Sequence, residues 1–99
     1  DRQIKIHGHR LELGEIDAAL RVCGATSACT VLVDGDLHGF VEGIEKEEIH
    51  EFRARLQDQL PSYAVPKFLH LTDRLPRNAN DKIDSSALSL QAKTTVAEE

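Results

Sequence analysis

The sequence has only two cysteines, Cys23 and Cys29, too few for a disulfide scaffold and too few for a zinc site, which takes about four ligands. Both read as small buried apolar residues. The chain has no apolar run approaching a membrane span or a signal-peptide core, so a soluble, cytoplasmic protein is expected. Positive charge is in deficit: the net charge of -5 leaves no overall footprint for nucleic acid or an anionic membrane. No serine, histidine and acid arrangement points to hydrolysis. There is no initiator methionine, and Asp1-Arg2-Gln3 enters patterned sequence at once, as expected of an excised or cleaved piece. What is present, 99 residues with 40% hydrophobic and 29% charged, suits one small domain with a single modest core. Such a domain has no room for a substrate cavity beside that core, so any chemistry is expected to be shared with another domain.

Residues 3–7 and 10–13 alternate Ile4, Ile6, Leu11 and Leu13 with Lys5, His7, Arg10 and Glu12, and Gly8 separates the runs. This predicts a hairpin with one polar face. Ile16, Ala19, Leu20 and Cys23 recur at helical spacing before Gly24, predicting a helix over 15–23. Residues 27–33 and 37–44 read as antiparallel strands joined by Asp34-Gly35-Asp36. Ile49, Phe52, Leu56 and Leu60 form the apolar stripe of a helix over 46–60, ended by Pro61. Phe68, Leu69 and Leu71 predict a third strand over 67–73. A polar turn at 77–81 precedes a short helix over 85–90, and 91–99 read as a disordered tail. The expected fold, over residues 1–90, is α+β: a small, mainly antiparallel three-stranded sheet with packed helices, plus an N-terminal β-hairpin.

Three segments, in order, carry a more specific signal. Asp1-Arg2-Gln3-Ile4-Lys5-Ile6-His7-Gly8-His9-Arg10-Leu11-Glu12-Leu13-Gly14-Glu15-Ile16 resembles the eighth core motif of adenylation domains. That motif has a hinge Asp, a Gln-Val-Lys-Ile strand and an Arg-Ile-Glu-Leu-Gly-Glu-Ile run. Leu60-Pro61-Ser62-Tyr63-Ala64-Val65-Pro66 is similar to the ninth, usually Leu-Pro-x-Tyr-Met-Ile-Pro. Leu75-Pro76 followed by Asn80-Asp81-Lys82-Ile83-Asp84 resembles the tenth, Asn-Gly-Lys-Val-Asp-Arg, with Asp81 replacing Gly and Ser85 replacing Arg. The chain thus resembles the C-terminal subdomain of a nonribosomal peptide synthetase adenylation domain, within the adenylate-forming, AMP-binding enzyme superfamily.

The resemblance implies two steps. ATP and an amino or other carboxylic acid give an acyl-adenylate and pyrophosphate, and the phosphopantetheine thiol of a peptidyl carrier protein then takes the acyl group. Mg-ATP and the amino-acid substrate would be held mainly by a large N-terminal adenylation subdomain, so this chain alone is expected to be inactive. Lys82 matches the catalytic lysine, a point charge where two anionic groups must meet. Asp1 matches the hinge, where a few dihedrals absorb a rotation. The hairpin carrying Lys5, His7, Gly8, His9, Arg10 and Glu12 would face the pantetheine side in the thioester step. Asn80, Asp81 and Asp84 would support the lysine. Glycine at the position of Asp81 implies a positive-φ turn, which Asp tolerates better than most residues.

Read without the family, these residues are blander. Lys82 is a solvated lysine in a polar turn, Asp1 a surface acid and Gly8 a turn residue. Arg2, Lys5, His7, His9 and Arg10 form a local basic cluster, either a solvated face or a positive surface toward nucleotide or pantetheine phosphate. His7 and His9 on one strand face lack a third ligand, so no metal site is expected. Glu15 suits a helix N-terminus, and Tyr63 and its flanking prolines suit packing. Two rivals remain: an acyl-CoA or aryl-CoA ligase, whose hairpin runs Gly-Tyr-x-Val-x-Pro-x-Glu where this chain has Leu13 at the proline, and a noncatalytic α+β interaction module.

Overall fold

Two glycine turns set the antiparallel pairings. In the computed structural model, which describes residues 2–94, β1 (Gln3–Ile6) and β2 (His9–Glu12) pair with Ile6 opposite His9. His7 and Gly8 form the loop between them at φ 49° and 82°, the double left-handed backbone that a type I′ turn requires. Asp34 and Gly35, at φ 52° and 83°, join β3 (Ser27–Val33) to β4 (Asp36–Glu42) in the same way. Nothing lies within 4 Å of a Cβ built on Gly8 or Gly35, so the demand for glycine within this chain is one of backbone, not of space.

Helix α1 (Leu13–Val22) begins directly after β2, ahead of the expected start at 15. Leu13 is free to do so because its N–H, which needs no helical partner in a first turn, donates to the Arg2 carbonyl at 3.0 Å. Glu15 stands in that first turn, as expected. The helix expected over 46–60 is a 3₁₀ turn, Lys46–Glu48, followed by α2 (Ile49–Gln59). Leu60 is already extended, as a residue before proline tends to be.

The sheet differs from the mainly antiparallel one expected. Its order is β3-β4-β5, and β5 (Phe68–Thr72) runs parallel to β4. The reason is the connection: α2 carries the chain back along the sheet, and such a crossover delivers the next strand in the same sense. Helix α3 (Ser85–Thr94) continues past the expected end at 90, because Ala92 repeats the burial of Leu88 one turn on. Residues 95–99 of the expected tail lie outside the described residues, as does Asp1.

Strand alternation divides the apolar residues between two faces rather than one core. Ala28, Leu37, Val41 and Leu69 meet Leu20 of α1 and Phe52 and Leu56 of α2. Cys29, Val31, Val33 and Phe40 meet Leu75, Leu88 and Ala92. Both cysteines are buried and unbridged, and burial pushes both thiols up. Among the described residues no helix is long and apolar enough to cross a membrane.

Candidate functional site

Lys82 sits in a small pinned loop. Arg77 and Ile83 form an antiparallel bridge, and between them the Asn78 N–H donates to the Lys82 carbonyl at 2.8 Å. The Asn78 side chain organises the rest: its Oδ1 accepts from the N–H groups of Asn80 at 2.9 Å and Lys82 at 3.1 Å. Asp81 takes the left-handed backbone at φ 62°, and its N–H donates to the Asn78 carbonyl at 2.9 Å. Asp84 closes the loop: its N–H reaches the Pro76 carbonyl at 2.9 Å, and its Oδ1 caps α3 by accepting from Ala87 N–H at 3.1 Å. Ile83 packs with the α3-face cluster while its neighbour Lys82 is exposed. The result is a fixed backbone presenting a free cation, since Lys82 has no ion-pair partner among the described residues. Asn78 was not singled out from sequence, although an Asn two residues before the backbone it bonds is a known turn signal.

The hairpin is sorted by strand face. Ile4, Ile6 and Leu11 point into the α1/α2 cluster. His9 shares their face and stacks on Tyr63, ring centroids 3.8 Å apart, so the first and second motif segments are in contact. The opposite face pairs Gln3 with Glu12, whose side chains approach to 3.4 Å, and Lys5 directly with Arg10. Two exposed like charges across a strand pair cost stability. Neither has an acidic partner among the described residues. The expected basic cluster is therefore smaller than its sequence adjacency suggests. Arg2 turns inward to Asp17 at 2.6 Å, His9 is occupied by Tyr63, and His7 lies in the turn rather than on a strand face with His9. Lys5 and Arg10 remain, with His7 exposed beside them.

These two elements belong to different sides of the sheet. The hairpin's apolar side chains join the α1/α2 cluster, whereas Ile83 joins the α3 cluster. The hairpin and the start of α3 share a groove beside the edge strand β3, lined by Arg2, Gln3, Ile4, Val31, Ser85 and Ser89.

A second titratable group lies inside. His38 Nδ1 and His70 Nε2, on the parallel strands, are 2.9 Å apart and both rings are buried, with His70 stacked on Phe40. Burial pushes both imidazoles below the ordinary histidine value, His70 to about 4 with repulsion from His38 adding to it. The pair is neutral at pH 7 and fastens β4 to β5. No group of three or more His, Cys, Asp or Glu residues suited to a metal ion occurs among the described residues.

No family model matches the chain. Nonribosomal peptide synthetase 30 from Fusarium vanettenii is 37% identical over 91% of this chain, and the chain spans about 2% of that protein's length. Adenylate-forming reductase 03009 from Coprinopsis cinerea is 38% identical over 100% of the chain, which spans 10% of it. Among solved structures, NpsA from Klebsiella oxytoca superposes with a TM-score of 0.82 at 22% identity, over 93% of this chain and 20% of that one, a likeness of fold. Sequence and fold agree: the chain is a homologue of nonribosomal peptide synthetases and belongs with the adenylate-forming enzymes, as a C-terminal adenylation subdomain.

Proposed function

We propose that the chain is the mobile C-terminal lid of an adenylation domain. The domain activates an amino or other carboxylic acid with ATP and then helps to load it on the phosphopantetheine thiol of a peptidyl carrier protein. The observation that carries this reading is the separation just described: Lys82 is presented with one cluster and the hairpin with the other. One body with two working sides suits two successive reactions at one site, exchanged by a turn at Asp1.

In the first reaction a carboxylate oxygen bonds to the α-phosphorus of ATP, and pyrophosphate leaves with the electron pair of the broken bond. The Lys82 ammonium, unpaired among the described residues and held on a fixed backbone, offsets the negative charge gathered there without exchanging a proton. Asn80, Asp81 and Asp84 act through the loop: Asp84 anchors it to α3, and Asn80 and Asp81 shape its bend. In the second reaction the pantetheine thiol attacks the acyl carbonyl and AMP leaves. The hairpin with Lys5, His7, Gly8, His9, Arg10 and Glu12 then faces the incoming arm, and the adjacent Lys5 and Arg10 charges suit its phosphate. Mg-ATP and the substrate side chain are assigned mainly to the N-terminal subdomain.

The test is pyrophosphate exchange dependent on the acid substrate, followed by single-turnover loading of carrier protein. The parent protein is expected to do both and the isolated 99-residue chain neither. Exchange catalysed by the isolated chain would reject the composite site.

A further inference from the structure

Asp17 is 6% exposed, yet both its carboxylate oxygens are engaged. Oδ1 accepts from the Thr30 N–H at 2.6 Å and Oδ2 from Arg2 Nη1 at 2.6 Å. Arg2 Nη2 also donates to the Thr30 carbonyl and lies 3.6 Å from Cys29 Sγ. The Arg2 backbone carbonyl accepts from Leu13 N–H at 3.0 Å, where β2 passes into α1. One residue is thereby fastened to the α1 start, to the middle of α1 and to the edge strand β3. A planar guanidinium can serve a carboxylate and a carbonyl at once, which an ammonium on a flexible stem does poorly. The Arg2 side chain is 36% exposed and that of Asp17 9%, so the pair is only partly buried, and it is the two-ended hydrogen bonding that ties Arg2 to α1 and β3.

We infer that Arg2 is a positioning residue that ends the joint between the two subdomains. Because Arg2 is clamped, everything from residue 2 onward turns as one body, and no part of the rotation falls within β1. Without the clamp the joint lengthens into β1, and the orientations of Lys82 and of the hairpin toward the N-terminal subdomain become less defined. This inference rests on the reading of the chain as a mobile lid.

The test uses the intact enzyme with one dye on the N-terminal subdomain and one at position 90, where Leu90 is 68% exposed on α3. Two variants break the clamp differently. Arg2→Lys keeps the charge opposite Asp17 but loses the fork. Arg2→Ala with Asp17→Asn leaves no unpaired charge and keeps an acceptor for the Thr30 N–H, so the fold survives if either does. In both, the Leu13 amide is expected to exchange at least about tenfold faster while the α2 amides stay protected. The single-molecule distance distribution of the adenylate-bound state is expected to broaden, and carrier loading to slow with it. A lowered melting temperature with an unchanged distribution would make Arg2 merely structural and overturn the inference. The lid reading is judged separately on the unaltered enzyme: no shift in mean distance between the adenylate-bound and carrier-loading states would sink that reading and this inference with it.

Discussion

The imidazole of His9 lies flat on the phenol ring of Tyr63, with planes 9° from parallel, so the hairpin tip is held by the loop that follows α2. Stacked aromatic pairs contribute about 0.5–1.5 kcal/mol beyond their buried area. Tyr63→Leu is expected to destabilise the chain by about 1 kcal/mol in urea unfolding and to slow carrier loading more than pyrophosphate exchange. A larger effect on exchange would show that the stack serves the adenylation orientation instead.

Lys82→Ala should lower adenylation by about two to three orders of magnitude, the usual loss when one electrostatic donor to a transition state is removed. Thioester formation from preformed adenylate should suffer far less, and the melting temperature should not move, since the side chain is exposed. Equal losses in both half-reactions would reject the division of roles.

Asp81 holds φ 62° beside the lysine. Glycine accepts that backbone without the Cβ cost, about 1 kcal/mol, and removes a carboxylate from the neighbourhood of the ammonium. Asp81→Gly is expected to leave folding intact and to keep or raise the adenylation rate. A large fall, with the fold preserved by circular dichroism, would assign Asp81 a positive role.

Lys5→Glu would turn a repulsive cross-strand pair with Arg10 into an attractive one. Thermal unfolding should report a gain of about 0.2–1 kcal/mol. Carrier loading should nonetheless weaken, because the positive face proposed to meet the pantetheine phosphate is halved. Unchanged loading at several salt concentrations would remove that face from the mechanism.

His70 is neutral when folded down to about pH 4, whereas an unfolded histidine takes a proton near 6.5. Between these values the unfolded chain binds more protons, so this contribution is complete above pH 6.5 and declines as pH falls toward 4. The decline is on the order of 3 kcal/mol. His70→Gln should flatten that part of the stability profile relative to the parent, measured by urea unfolding from pH 7.5 to 4.5. Parallel profiles would reject His70 as its source.

How much of this was legible in the sequence varies with how local the cause is. The turns at Gly8 and Gly35 and the stripes of α1 and α2 follow from short-range chemistry, and they are where they were expected. The sense of β5 is different: Phe68, Leu69 and Leu71 mark a strand but carry no direction, which comes from the path of α2. The burial of Asp17 depends on Arg2 from another element, and no periodicity announces it. Sequence adjacency likewise merged Arg2 and His9 with Lys5 and Arg10, because strand parity and one inward turn decide which of them reach solvent. Lys82 was singled out through its motif, while Asn78, which holds its loop, was passed over as ordinary turn composition.

The covering of the second cluster has a consequence for how the chain is made. The β3-β4 hairpin closes over a short turn and needs nothing downstream, so it pairs early at little entropic cost. Cys29, Val31, Val33 and Phe40 are then aligned on one face while Leu75, Leu88 and Ala92 have yet to emerge from the ribosome. Until they do, the nascent chain displays a bare apolar stripe beside open strand edges, the kind of surface that chaperones hold and aggregates recruit. Synthesis that stops before Ser85 therefore yields an adhesive fragment as well as an incomplete one, and the C-terminal segment that carries Lys82 is also the one that makes the newborn domain safe.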